Sequence, residues 1–247
     1  MEEIGKALKS IFDKLSDFFD IFDLSFFVSG VALTVSVLFW LNQRELYAFQ
    51  EIQFKGVIIV YILICYINGL VAFASGRWIR MGVWAHFKSK SKRTEKKYHP
   101  DTPLNNRYDL FDAEFRRKIY AHGLETNHIV AEYLDRKNCR GTWRLYVRLW
   151  AVIRDNKKYA NSLSLIKRYW VMAATYDGLS IFLLVAILIV ADFGFGIFGN
   201  SVIAPCWLVY PIILIMILTF FACIREAERY VDYQVEEVIA TFAAGEN

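Results

Sequence analysis

Few of the residues from which active sites are commonly built occur in this sequence. The chain has four histidines and four cysteines, with neither an HExxH motif nor a CxxC pair, so neither a zinc site nor a disulfide scaffold is indicated. Gly194, Gly196 and Gly199 do not stand between a strand and a helix, as the glycines of phosphate-binding loops do. We therefore predict no catalytic residues, no metal and no cofactor.

Proline is also rare, with four in 247 residues, and three long stretches carry no charge while another carries a single carboxylate, that of Asp177. The stretches are residues 24–43, 56–76, 178–191 extended back to residue 170, and 193–224, whose usable part begins near residue 204. About 20 apolar residues in a helix cross the ~30 Å hydrocarbon core of a bilayer. We predict an all-α polytopic membrane protein whose four spans form two transmembrane hairpins.

Basic residues are concentrated between the second and third spans. Residues 77–177 hold 22 of the 29 lysines and arginines against ten acidic residues, and residues 192–204 hold no basic residue. Because an excess of lysine and arginine marks cytoplasmic loops, the middle segment and both termini are expected in the cytoplasm. The predicted location is a bacterial inner (plasma) membrane.

The spans divide the chain into five predicted segments. They are an amphipathic helix (1–23), hairpin 1 (24–76), a basic helical cytoplasmic domain (77–175), hairpin 2 (176–224) and an acidic C-terminal cytoplasmic helix (225–247). The first helix lies either in the inner interface or on the middle domain. The last helix has coiled-coil spacing, but its acidic charge favours packing on the basic domain.

Within the middle domain, helical periodicity is predicted at residues 112–122, 125–137, 142–154 and 161–176, the last running into the third span. No stretch of useful length alternates with the period of a strand. The domain is therefore expected to be all-α.

One pattern in this domain resembles a catalytic motif. Arg117 and His122 fit the loose arginine-to-histidine spacing of HEPN ribonucleases, whose pair stabilises and protonates a scissile phosphodiester. Arg80 and His86 fit the same spacing. Neither arginine is followed by the polar residue that those enzymes favour, so ribonuclease activity is the disfavoured alternative.

Glu125 and His128 stand three residues apart, as in half of a carboxylate-bridged metal site on one helical face. A second copy and further carboxylates are missing. A solvated Glu and His is the better interpretation.

A ladder of basic residues four apart continues into a second basic group: Arg136, Arg140, Arg144, Arg148, Arg154, Lys157 and Lys158. On an uninterrupted helix their side chains would share one face and could hold phosphates. Trp143, Tyr146 and Trp150 lie between them and could stack on bases. The alternatives are a juxtamembrane face that enforces topology, phospholipid contact, nucleic-acid binding and pairing with an acidic partner.

Small and polar residues mark the first two spans: Ser29, Gly30, Thr34, Asn68, Gly69 and Ala72. Helices in lipid associate through small side chains and interhelical hydrogen bonds. These faces are expected to meet each other or a neighbouring subunit, and Asn68 could help to line a polar seam. Asp177 and Asp192 bracket the third span near its ends, where headgroups or water are within reach.

The layout as a whole resembles small bacterial four-span proteins encoded beside antiviral systems. The resemblance includes residues 166–180, where Arg168, Tyr169 and Trp170 lead into the third span, and the helix 225–242 that continues the fourth. Such proteins are membrane effectors or membrane-bound sensor subunits of abortive-infection, retron, Kiwa or cyclic-nucleotide defence systems. The resemblance transfers no catalytic residue.

The expected function is that of a non-enzymatic, oligomeric inner-membrane effector that perturbs or permeabilises the membrane in abortive-infection defence. The alternative is a membrane-anchored sensor or scaffold that recruits a soluble partner through the basic domain. The expected partners are the lipid bilayer, further copies of the chain and a soluble protein encoded nearby, with nucleic acid as a weaker candidate.

Overall fold

The protein is helical throughout the residues that the structure, a computed structural model, describes: 21–43, 54–91, 107–134, 139–197 and 205–246. The helices are α1 (Ile21–Gln43), α2 (Phe54–Ser91), α3 (Arg107–Ala121), α4 (His128–Leu134), α5 (Cys139–Asp155), α6 (Ala160–Phe195) and α7 (Cys206–Glu246), with a 3-10 turn at Lys157–Tyr159 before α6. The predicted amphipathic helix 1–23 lies almost wholly outside the described residues.

Among the described helices, four are long and apolar enough to cross a membrane, which confirms the predicted number of spans. The segments are Ser25–Gln43, Val60–Val83, Lys157–Phe195 and Trp207–Gly245. They belong to α1, α2, α6 and α7. Three of these helices, α2, α6 and α7, have 38, 36 and 41 residues and are much longer than the roughly 20 residues that a bilayer requires.

The chain divides into two compact units. The span unit comprises residues 1–77 and 174–227, and the charged unit comprises residues 78–173 and 228–247. The C-terminal helix, predicted as a segment of its own, therefore belongs with the middle segment.

The charged unit has a hydrophobic core to which both of its chain segments contribute. Phe115, Leu149 and Ile153 come from the middle segment, and Val238 and Phe242 come from the last part of α7; all five are at most 2% exposed. Within this unit, α3 and α4 both pack on α5. Val235 and Val238, two of the residues with coiled-coil spacing, are thus buried inside the protomer, because a helix with one apolar stripe must cover it with other apolar side chains.

The turn between α3 and α4 is longer than the predicted boundaries allow. Gly123 adopts a φ of 66° after α3, a left-handed conformation that glycine reaches without a Cβ penalty. Asn127 then caps α4, because its Oδ1 accepts from the backbone N–H of Ile129 at 2.9 Å. The predicted helix 125–137 was wrong at its start, since Glu125 lies in a turn before the cap.

Candidate functional site

Helices α1 and α2 approach each other closely at two glycines. A Cβ built on Gly30 would overlap the carbonyl oxygen of Cys65 and come within 2.7 Å of the Gly69 backbone nitrogen. A Cβ on Gly69 would in turn overlap the carbonyl oxygen of Phe26. The two backbones therefore touch where the sequence places its small residues, in the manner of small-residue interfaces in membranes.

Polar side chains accompany this contact inside the protomer. Asn68 Nδ2 donates to Thr34 Oγ1 at 2.9 Å, which joins α2 to α1. Ser29 is fully buried, and its hydroxyl donates to the Phe26 carbonyl at 3.0 Å. Ala72 is also fully buried. The structure thus brings the predicted packing residues together within one copy of the chain. We call these polar contacts between α1 and α2, together with the approach of α6 described next, the polar seam.

At one end, the polar seam reaches α6. A Cβ on Gly76 would overlap the Asp177 carbonyl oxygen, and a Cβ on Gly178 would lie 2.5 Å from the Ser29 hydroxyl oxygen. Ser180 Oγ donates to the Asp177 carbonyl at 2.7 Å. Asp177 itself is 2% exposed. Helices α2 and α6 consequently approach each other at backbone distance here, and the Ser29 side chain of α1 lies against α6 at Gly178.

At the other end, α6 is tied to α1 by a second buried carboxylate. Trp40 Nε1 donates to Asp192 Oδ2 at 2.7 Å, and Asp192 has no exposed surface. The rings of Phe39 and Phe193 pack edge to face beside this bond, with centroids 6.2 Å apart. The expectation that Asp177 and Asp192 reach headgroups or water was wrong, because neighbouring helices enclose both side chains.

The basic ladder is described only in its later part. Arg136 lies outside the described residues. Gly141 does not interrupt α5, so Arg140, Arg144 and Arg148 share one helix, and the side chains of Arg144 and Arg148 are exposed.

Two of the arginines in this basic group lie near carboxylates, and the two lysines that follow are exposed. Arg148 Nη1 lies 3.9 Å from a Glu132 carboxylate oxygen, and Arg154 Nε lies 3.0 Å from Asp155 Oδ1. Lys157 and Lys158 are exposed in the 3-10 turn. We call Arg144, Arg148, Arg154, Lys157 and Lys158 the basic face.

Of the three aromatic residues between the arginines, Tyr146 and Trp150 do not form the stacking platform that base binding requires, and the Trp143 side chain lies outside the described part of the structure. Tyr146 is 9% exposed, and its ring packs edge to face on Phe115 with centroids 6.1 Å apart. Trp150 is half-buried and packs against the hydrophobic core. Because a buried ring cannot stack on a base, Tyr146 stabilises the fold instead.

The arginine and histidine of the ribonuclease-like pattern have separate local partners. Arg117 has a 70% exposed side chain and lies 4.0 Å from Glu114. His122 Nε2 lies 2.8 Å from Glu236 Oε1, and Lys118 Nζ lies 3.0 Å from Glu236 Oε2. The latter contacts join α3 to α7 and form what we call the Glu236 cluster. In the second pattern, Arg80 is 5% exposed and is bound by Glu228.

The Glu236 cluster predicts a pH dependence of stability. Burial raises the pKa of Glu236, but hydrogen bonds and charge attraction from His122 and Lys118 outweigh it and hold this pKa below its ordinary value. The stabilisation is therefore present above the ordinary glutamate pKa of about 4.3 and is lost as the pH falls through the lower folded value.

We expect Glu236→Gln to melt below the wild type near neutral pH and the difference to close as the solution is acidified below about pH 4. Thermal unfolding of the full-length protein in detergent measures this. Glu125→Gln, at an exposed turn position, controls for the loss of one negative charge. A difference that persists unchanged at low pH would contradict the assignment.

The half metal site is not formed. Glu125 lies in a turn and His128 begins α4, so the two do not share a helical face. In the part of the chain that the structure describes, no group of three or more potential metal ligands comes together.

The partners of Arg80 and Asp192 were not singled out from the sequence. Glu228 binds Arg80 from α7, and Trp40 bonds Asp192 from α1. Arg80 itself was noted only as part of the second ribonuclease-like pattern. Partners more than 140 residues away along the chain leave no mark in local periodicity.

Comparison of the chain with protein-family models, curated proteins and solved structures finds no match.

Proposed function

We propose that the protein is a non-enzymatic effector of a bacterial inner membrane that perturbs the bilayer when a cytoplasmic signal reaches its charged unit. In this proposal both termini and the charged unit are cytoplasmic, and the protein acts as an oligomer. The setting, abortive-infection defence, is proposed from the resemblance in layout.

The observation that carries the proposal is the continuity of α7. Its first half is the fourth span, and its last part supplies Val238, Ile239 and Phe242 to the core of the charged unit. A ligand that alters this core acts on the same helix that crosses the membrane. Helices α2 and α6 likewise contribute residues to both units.

The fourth span is also the span with the least support in its middle. Eight of residues 210–219, all of which the structure describes, are exposed and none is buried. Residues 181–191 of α6 also include no buried residue, but only Leu188 among them is exposed. Pro211 lies within this helix and removes one backbone hydrogen bond. By contrast, α1, α2 and α6 are joined by the polar seam. We therefore assign movement to the fourth span and fixed packing to the other three.

Asn68→Leu tests the effector proposal. The change removes the donor to Thr34 and, in the proposed mechanism, the polar lining that subunits expose when they rearrange. We expect this variant to lose membrane depolarisation on expression, measured with a potential-sensitive dye in cells.

The matched control is Thr219→Leu, another polar-to-leucine change within a span. Thr219 is exposed, and its hydroxyl donates to the Ile215 carbonyl one turn earlier in α7, at 2.8 Å. This variant should depolarise the membrane as the wild type does. Equal depolarisation by Asn68→Leu at equal protein level would remove the effector proposal.

The exposed basic face favours a second candidate, a membrane-anchored sensor or scaffold that binds a soluble acidic partner. Arg144 and Arg148 present two guanidinium groups one helical turn apart. This candidate predicts co-elution with a neighbouring gene product in mild detergent without loss of membrane potential. Exchange of both arginines for glutamine should then abolish co-elution.

A further inference from the structure

Three tyrosines and one arginine form a cluster in the charged unit that we call the tyrosine cluster. The ring centroids of Tyr169, Tyr230 and Tyr233 lie 5.7 to 6.2 Å apart. The guanidinium carbon of Arg229 lies 5.5 Å from the centroid of Tyr230 and 5.8 Å from that of Tyr233. These distances are in the range of aromatic packing and cation–π attraction.

The tyrosine cluster lies on two helices beside their membrane-spanning parts. Tyr169 immediately precedes the apolar run of the third span, and Arg229 follows Ile224, the last residue of the fourth uncharged stretch, by five residues. Five helical residues rise about 7.5 Å. The headgroup layer on each side of a bilayer is about 5 to 8 Å thick. The position along both helices thus corresponds to the depth of lipid phosphates, where tyrosine is enriched.

One side of the tyrosine cluster is open. Arg229 is exposed and Tyr233 is 46% exposed, while Tyr169 and Tyr230 are half-buried and form its base. Aromatic faces restrict the guanidinium group, so less rotamer freedom is lost when its N–H donors bind a ligand. Phosphate oxygens match this planar fork, and phenol hydroxyls add further donors.

We propose that Arg229, with the hydroxyl groups of Tyr230 and Tyr233, binds the phosphate of an anionic phospholipid headgroup. The lipid comes from the leaflet on the side where the basic residues of the chain collect. The shared chemistry is a phosphate ester anion, and the depth of the cluster selects a lipid over a soluble phosphate. The site is separate from the basic face and does not depend on the effector proposal.

A nearby carboxylate limits how strongly Arg229 binds a phosphate. Asp232 stands three residues beyond Arg229 on the same helix, where its carboxylate competes with a lipid phosphate for the cation. The expected result is a preference for anionic over zwitterionic headgroups and not irreversible binding.

The test uses the full-length protein in mild detergent with phosphatidylglycerol and phosphatidylcholine, and counts bound lipids by native mass spectrometry. The wild type should prefer phosphatidylglycerol. Arg229→Gln should reduce this preference about five- to tenfold, the loss of a charge-assisted contact. Arg117→Gln, which removes an exposed arginine from α3, should change it less than about twofold.

Equal losses in Arg229→Gln and Arg117→Gln would overturn the proposal, because general positive charge would then explain the binding. No loss in either variant would overturn it as well, because Arg229 would then not contact the lipid. Displacement of the lipid by inorganic phosphate would overturn the lipid assignment in favour of a soluble ligand. If Arg229→Gln does not yield folded protein, Arg229→Lys decides: it keeps the charge but loses the planar fork, so an unchanged preference rejects the site.

Discussion

Val238→Asp is expected to unfold the charged unit. Val238 has no exposed surface and lies in the hydrophobic core with Ile239 and Phe242. Burying a carboxylate without a partner costs several kcal/mol, which is comparable with the whole stability of a typical domain of about 5 to 15 kcal/mol. Among the described residues, α7 contributes Val235, Val238, Ile239 and Phe242 to this core.

Hydrogen exchange of the full-length protein in detergent measures this effect. Peptides from α3 and α5 should be protected in the wild type and lose protection in Val238→Asp, and a chain ending at Ala227 should behave in the same way. Ala244→Asp is the control, since Ala244 is exposed on the same helix. Wild-type protection of α5 in Val238→Asp would show that the tail is not a required part of the core.

The second large effect is expected from Gly69→Ala, although alanine adds only one carbon. The new Cβ would overlap the Phe26 carbonyl oxygen and lie 2.6 Å from its carbon. Backbone atoms of a packed helix cannot move aside as a flexible side chain can, so α1 and α2 must separate. Overpacking of this kind costs about 1 to 3 kcal/mol or more, and separation also strains the bond between Asn68 and Thr34.

Gly82→Ala supplies a control with the same chemical change in the same helix. No atom lies within 4 Å of a Cβ built there, and alanine is favoured over glycine in a helix by up to about 1 kcal/mol. Thermal unfolding in detergent should therefore place Gly69→Ala well below the wild type and Gly82→Ala at or above it. If the two variants unfold at the same temperature, the close contact of α1 with α2 is not present in the folded protein.

The close contact of α1 with α2 also limits which leucine substitutions in the polar seam can test the effector function. Leucine at Gly69 would destroy the packing of the span unit and could not separate a loss of fold from a loss of activity. Asn68 is adjacent in sequence but contributes a side-chain bond instead of a backbone contact. It is therefore the more informative position for the test of effector function.

The packing residues of the first two spans show how much of the helix packing could be predicted from the sequence. Their small size and polarity predicted helix association, but the pattern allowed either two spans of one chain or neighbouring subunits as partners. The carbonyl of Cys65 beside Gly30 and the bond from Asn68 to Thr34 assign the contact to one protomer. The pattern of small and polar residues predicts which face of a helix packs, whereas the partner of that face depends on three-dimensional position.

The buried carboxylates illustrate the opposite case. Position along the third span suggested access to headgroups, yet Asp177 and Asp192 are 2% and 0% exposed. The indole of Trp40 reaches Asp192 from a helix far away along the chain. Depth in a membrane can be counted from sequence, but enclosure by neighbouring helices cannot.

The sequence by itself determined the four apolar helices, since hydrophobic length is a local property that needs no knowledge of neighbours. It also determined that charge collects between the second and third spans. The tertiary structure decided that the C-terminal helix completes the core of the middle segment and that Arg80 and His122 are held by Glu228 and Glu236. It also decided that Tyr169 joins Tyr230 and Tyr233, the two tyrosines that contact Arg229. These contacts join residues distant in the chain, and distance along the chain does not determine which side chains meet when the helices pack.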